Sequence, residues 1–418
     1  IWCIMGEIFS ETYANNKDNL NPLKSIRKKF HYPERDGTPL LYFSGNSLGL
    51  QPIGVSDSIN EQAKIWALKG ADGYMSDWVD FHQQFLTDFE PIIGGQWQEF
   101  MLMNALTVNL HLLMVSFYKP KDTRYKIIIE GGAFPSDQYA VKSQIEFHGY
   151  DPNEALVELR PKKGQYCLNT EDILSTIESH GESISLILLG GVNYYTGQKY
   201  DMEAITKIGK KGGAYIGFDL AHAAGNVSLK LHDWDVDFAA WCNYKYLNSG
   251  PGAPSGVFVH EKHHRWKGAR FTGWWGNRLD TRFKMESNID PIQSTAGWGI
   301  SNSSIFSMAP LKNALDIYKE VGMDRFVEES HKLTGYLESL IMSELPQISI
   351  VTPNDPNQRG CQLSLLTKNG KSVYESLVNK NVVCDWREPD VLRIAPTPLY
   401  NTYKEILQFT QILKTILN

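Results

Sequence analysis

Cysteine is scarce. The five in 418 residues, Cys3, Cys167, Cys242, Cys361 and Cys384, are odd in number, widely spaced and never arranged as CxxC. That spacing excludes a disulfide framework and a dithiol or zinc-ribbon site, and a reducing cytoplasm is the expected compartment. There is no basic excess either: 41 Lys and Arg against 47 Asp and Glu leave a formal charge of −6. The dense cationic surface that nucleic acid or an anionic membrane demands is therefore missing. The opening IWCIMGEIF has no basic residue ahead of its apolar run and no small-residue cleavage site, so it is not read as a signal peptide, and Met5 is a candidate natural start. Phe100 to Tyr118 runs 19 residues without a charge, long enough for a bilayer. Asn104, Thr107 and His111 nevertheless share one face, which is expected of a helix in a soluble chain. Internal repeats and low-complexity segments are absent.

Short apolar runs separated by segments of helical period are what the chain does have. KIIIE (126–130), SLILL (185–189), AYIGF (214–218), DFAAW (237–241) and GVFVH (256–260) read as strands of a buried, parallel α/β sheet. Each ends in a polar or glycine-rich loop, and ligands of open α/β sheets collect at the carboxyl ends of strands, so these loops are expected to converge. After Pro310 the pattern becomes two helical segments, 311–321 and 325–345, followed by QLSLL and VLRIAP, a smaller α+β unit. The length predicts two or three domains. The expected division is a large domain over 55–310 and a small one built from 1–54 and 311–418.

HEKHH, 260–264, matches the HExxH pattern of zinc proteases, but it directly follows a strand, whereas that chemistry needs both histidines on one helix; no metal is expected. NGKS, 369–372, resembles half a phosphate loop and reads as a turn. The sequons at Asn226 and Asn302 carry no weight in a cytoplasmic chain.

Lys245 stands apart, in WCNYKYLNSG, after an apolar strand and between two tyrosines. Desolvation there would free its amine for a Schiff base, although a lysine past a strand can equally be a solvated loop residue. Asp219 ends its own strand 26 residues earlier. A carboxylate there can pair with the pyridine nitrogen of pyridoxal phosphate (PLP) and keep it an electron sink; the alternative is a strand-end cap. His222 follows three residues on. Thr107 could bind phosphate if it opens a helix, and Phe134, with Asp137 a turn away, could stack on a ring.

YFSGNSLGLQP (42–52), GGAFPSDQYA (131–140), YIGFDLAHAAGNV (215–227), NYKYLNSGPGAPSGVFVHEKH (243–263), GWWGN with TRFKM (273–285) and RIAPTPLYN (393–401) together resemble the kynureninase family over nearly the whole chain. The resemblance implies a fold-type I PLP enzyme, similar to class V aminotransferases. Its large domain would hold a mainly parallel sheet beside a smaller α+β domain. Such an enzyme hydrolyses L-kynurenine or 3-hydroxy-L-kynurenine to anthranilate or its 3-hydroxy form and L-alanine, as a cytoplasmic homodimer in tryptophan catabolism or NAD precursor supply.

It further implies that Lys245 carries PLP, Asp219 faces the pyridine nitrogen and Phe134 stacks on the ring. Pro135, Ser136, Asp137 and His222 would line the cofactor edge. Leu106 and Thr107 would offer backbone and hydroxyl to the phosphate, with Tyr244 adding a hydroxyl and serving as proton relay. Trp274 and Asn302 would complete the site across the dimer interface. Arg393 would grip the substrate α-carboxylate, a task that suits its planar fork. Two positions depart from the pattern: Gly190, where some members have serine, so that contact there must use backbone, and Ala71, near which some carry a histidine tied to the 3-hydroxylated substrate. A cysteine desulfurase or selenocysteine lyase is the competing reading; it would need a mobile nucleophilic cysteine, which Cys361 and Cys384 do not resemble. A non-catalytic PLP-fold protein is the other.

Overall fold

The computed structural model describes residues 8–418, so Cys3, the candidate start Met5 and all but the last two residues of IWCIMGEIF lie outside the described residues. The larger sheet has seven strands: β1 (Phe100–Leu102), β2 (Lys126–Glu130), β3 (Leu156–Leu159), β4 (Ile184–Gly190), β5 (Tyr215–Asp219), β6 (Phe238–Trp241) and β7 (Gly256–Val259). Their order is β1-β7-β6-β5-β4-β2-β3. From β6 to β3 the neighbours are parallel. Runs such as KIIIE and ISLILLG bury almost every side chain, as expected of strands covered on both faces.

Helices α1 (Leu106–Phe117), α2 (Pro135–Phe147), α3 (Thr170–His180) and α4 (Met202–Lys211) flank these strands. β7 departs from the parallel expectation, running antiparallel to both β6 and β1. The segment joining it to β6 holds no helix; the chain doubles straight back, which a parallel connection could not do.

The uncharged stretch 100–118 is not one helix. It splits into β1 and α1, with Asn104 between them at φ 49°. Thr107 and His111 face α2, reaching Ser136 and Gln144, while Asn109 is buried and donates to the Met103 carbonyl. Among the described residues no helix is long and apolar enough to cross a membrane.

A second sheet, antiparallel throughout, has the order β8-β9-β11-β10 with β8 (Ser349–Ile350), β9 (Leu363–Leu366), β10 (Asp385–Arg387) and β11 (Val391–Ile394). Its own core includes Phe43, Leu337, Leu363, Leu392 and Phe409. Helices α5 (Leu311–Val321), α6 (Met323–Glu344), α7 (Gly370–Asn379) and α8 (Tyr403–Leu417) complete this part of the chain, although Leu311, Leu315 and Phe326 pack into the core of the larger sheet. The N-terminal segment reaches both sheets. Leu41–Tyr42 pairs with Val382–Val383, the Phe43 carbonyl accepts the Ala395 N–H, and the Tyr244 carbonyl accepts the Gly49 N–H at 2.9 Å.

Candidate active site

The carboxyl ends of β2, β4, β5 and β6 open into a cavity of about 390 Å³. Lys245, Asp219, Asp137, His222, Phe134, Tyr244, Thr107, Leu106 and Ser136 all line it, so most of the sequence-derived set meets at one place. Pro135 is the first residue of α2, where a missing N–H costs nothing.

Lys245 sits in the turn after β6, where its Nζ lies 3.0 Å from His222 Nε2. Burial, with Lys245 and the Arg393 and Arg387 guanidiniums around it, holds His222 well below the usual histidine range. A neutral imidazole can accept from the lysine ammonium. The Lys245 turn is braced from outside by Gly49, where a Cβ would stand 2.4 Å from the Lys245 carbonyl and 2.2 Å from Asn248 Oδ1. Only glycine lets the segment 43–50 approach so closely.

Asp219 ends β5, and its Oδ1 accepts the Ala221 N–H at 2.7 Å. Asp137, in the first turn of α2, stands beside it; burial, then Asp219, then Glu130 push Asp137 well above the ordinary carboxylate range. Asp137 Oδ1 and His222 Nδ1 are buried without a protein partner. Opposite, α1 begins at Ala105, which offers no side-chain cap, so the first N–H groups of the helix are free for an anion. Thr107 Oγ1 lies 2.6 Å from Ser136 Oγ at that end. Phe134 presents its ring 6.0 Å from Lys245 Nζ and meets Tyr194 edge to face. Burial, with Cys242 beside it, raises the Tyr244 phenol and keeps it protonated at neutral pH.

Arg393 is not among the cavity-lining residues. It is 1% exposed on β11, directly across the ladder from Asp385. It pairs with that carboxylate, donates to Ser47 Oγ at 3.2 Å and to the Tyr194 carbonyl at 2.9 Å, and leaves Nε without a partner. Arg387 Nη1 holds the other Asp385 oxygen at 3.1 Å. Although burial opposes it, this pair of cations keeps the Asp385 carboxyl below its usual range. Trp274 and Asn302 also stand apart, in a separate apolar cavity of about 350 Å³ with Tyr74 and Phe283. Ala71 lies exposed in the turn Gly70–Asp72.

Sequence reasoning passed over Glu130, Tyr194, Ser47 and Asp385. Glu130 carried a signal as the last residue of KIIIE, whereas Asp385 needed the ladder register. As for HExxH, His260 follows β7 and caps a 3-10 turn, and His264 Nε2 faces the Val259 carbonyl at 3.3 Å, so the two histidines do not converge. His260 instead lies near Glu99 and His232, whose own contact is a 3.0 Å hydrogen bond. Burial pushes the Cys361 and Cys384 thiols up to about 12, opposite to what a nucleophilic cysteine needs.

A lysine amine, carboxylates, an aromatic ring and an uncapped helix N-terminus beside two hydroxyls are the kinds of group that PLP requires, and the residues present fit it. The two unpartnered polar atoms, on Asp137 and His222, belong to residues that line this same cavity. Residues 327–413 match the kynureninase C-terminal domain family. The chain is 48% identical to a kynureninase of Flavobacterium psychrophilum, across 97% of this chain and 98% of that one. A kynureninase of Nematostella vectensis is 43% identical, over 97% and 94%. In fold it is similar to an apo cysteine desulfurase of Thermococcus onnurineus, with TM-score 0.73, 16% identity, and coverage of 90% and 94%. It is likewise similar to the cystine C–S lyase C-DES, with TM-score 0.77, 14% identity, and coverage of 90% and 97%.

Proposed function

We propose, from the premise that this chain belongs to the kynureninase family, that the Lys245 cavity is where it hydrolyses the Cβ–Cγ bond of L-kynurenine to give anthranilate and L-alanine. The fold is that of fold-type I PLP enzymes, and PLP is the cofactor. When bound, PLP supplies the electron sink for negative charge developing on the substrate α-carbon.

Lys245 would hold the cofactor, and its amine would take the Cα proton of the substrate. His222, neutral and 3.0 Å away, orients that amine. Asp219 would hold the pyridine nitrogen and Phe134 would hold the ring. Thr107, Ser136 and the first N–H groups of α1 would hold the phosphate, where helix dipole and hydrogen bonds act together. Tyr244, protonated at neutral pH, relays a proton to the departing groups while water adds to the aryl ketone. Arg393 receives the substrate α-carboxylate, which requires it to share or give up its pairing with Asp385. The observation that carries the reading is the meeting of Lys245, His222, Asp219 and Asp137 at one set of strand ends.

Trp274 and Asn302 complete the site from a second copy of the chain; their separation from Lys245 and the exposed Tyr74, Trp274 and Phe283 around them support a homodimer. The two sheets with their own cores support a large domain over 55–310 and a small one from 1–54 and 311–418. The enzyme works in the cytoplasm, in tryptophan breakdown or NAD precursor supply. Incubation with L-kynurenine, with and without added PLP, tests the reading: anthranilate fluorescence that depends on PLP is expected, and its absence from well-folded protein overturns it. Comparing kcat/KM for kynurenine and 3-hydroxykynurenine assigns the ring preference.

A further inference from the structure

One carboxyl group of the cavity has no task in the reaction as described. Glu130 ends β2, is 5% exposed and lines the same cavity as Asp219 and Lys245. Its two oxygens accept the Gly190 N–H at 3.0 and 3.2 Å. Gly190 ends β4 and is the ladder partner of Asp219 on β5. One strand end thus ties the second, and the second registers the third, which carries the carboxylate assigned to the pyridine nitrogen. A Cβ on Gly190 would fall 2.8 Å from Glu130 Oε1, so a residue with a side chain there would push the carboxyl off its N–H. The titratable groups around Glu130 are Asp219 from β5, Asp137 from α2 and the buried Tyr200 phenol from the loop after β4.

We propose that Glu130 is a positioning residue for the pyridine end of the cofactor: it locks the β4 terminus that registers Asp219 and, by holding or releasing a proton beside Asp219, sets the negative charge presented there. The proposal rests on the PLP reading of the cavity. Burial, with Asp219 alongside, pushes the Glu130 carboxyl up to about 7 despite the Gly190 N–H. The charge of the group therefore responds to pH around neutrality.

Glu130→Gln keeps an oxygen for the Gly190 N–H but cannot ionise, and Glu130→Asp restores the acid. The first readout needs no cofactor: the thermal midpoint of the full chain, followed from pH 4.5 to 8. An acid whose pKa is raised on folding contributes fully below its unfolded value and loses that contribution as pH rises through the folded one. Wild type and Glu130→Asp should therefore lose stability relative to Glu130→Gln as pH rises from about 4.5 to about 7, with no further divergence above that. The second readout is the pH titration of the visible band of the PLP-loaded, substrate-free enzyme. With one negative charge fewer, its midpoint in Glu130→Gln should fall by roughly half a pH unit, since a nearby anion favours the protonated cation. Gly190→Ala, which displaces the carboxyl without removing it, should move the band in the same direction and serves if Glu130→Gln does not fold. Turnover by Glu130→Gln should drop about 3–10-fold with KM nearly unchanged, the pattern of a lost transition-state contribution. Parallel stability curves together with an unmoved band titration overturn the proposal even if activity is lost. Wild-type protein that binds PLP but leaves kynurenine intact would instead overturn the proposed function, with the first two readouts still legible.

Discussion

Asp385 lies directly across the β10–β11 ladder from Arg393 and occupies the guanidinium that the substrate α-carboxylate is assigned to reach. An internal carboxylate thus sits where the proposed reading needs an external one. Because Arg387 holds the same aspartate from its other oxygen, Asp385 has somewhere to remain when Arg393 turns to substrate. The arginine is kept neutralised and oriented in the meantime, as a guanidinium buried to this degree requires.

Arg393→Lys should therefore raise KM for L-kynurenine by about 10–100-fold with a smaller change in kcat, because an ammonium cannot make two parallel bonds while still holding Asp385. Steady-state kinetics measure the split. A kcat effect with unchanged KM would remove Arg393 from carboxylate binding.

Lys245→Ala should abolish the visible absorption of bound PLP and lower anthranilate release by at least about 1,000-fold, since both covalent tether and base are lost. Circular dichroism should stay native, because the Lys245 side chain projects into a cavity rather than a core. A variant with ordinary turnover would refute the central assignment.

Gly49→Ala tests whether the brace behind the lysine matters. The new methyl group would clash with the Lys245 carbonyl and Asn248, so the turn must shift. Activity should fall about 10–100-fold, as a misplacement near 1 Å can cost this much, while the thermal midpoint drops only by a few degrees. Melting curves beside activity assays separate the two effects.

His82 offers a prediction away from the site. It is buried with no partner for either ring nitrogen, and burial pushes its imidazole down to about 4. A histidine whose pKa is depressed on folding contributes stability above its unfolded pKa near 6.5 and loses it as pH falls toward the folded value. At about 1.4 kcal/mol per pH unit, the loss between pH 6.5 and 4 approaches ~3 kcal/mol. His82→Gln should flatten the acid limb of the stability curve relative to wild type by an amount of that order, read from urea unfolding at several pH values. His222 acts in the same direction in both proteins and cancels from the difference.

Much of the site was legible in the chain because it is built from strand ends. Lys245, Asp219, Phe134 and Asp137 each follow an apolar run, and the carboxyl-end rule for α/β sheets brings such loops together whatever the details. The helices 311–321 and 323–344 were legible from their period. Strand direction was not: GVFV reads the same parallel or antiparallel, and only the helix-free return from β6 turns it around. The uncharged stretch 100–118 also hid a break, because burial of a strand and burial of a helix ask for the same apolar residues.

Residue types and local order thus determined which groups were available: one lysine after a strand, a carboxylate after another, an arginine in RIAPTP. Tertiary structure decided their pairings. Ladder register set Asp385 against Arg393, β4 carried Gly190 to Glu130, and the fold left Trp274 and Asn302 in a cavity of their own. The physical reason is that a hydrogen bond or ion pair depends on ångström-scale distances between segments far apart in the chain, and such distances are fixed only when both cores close.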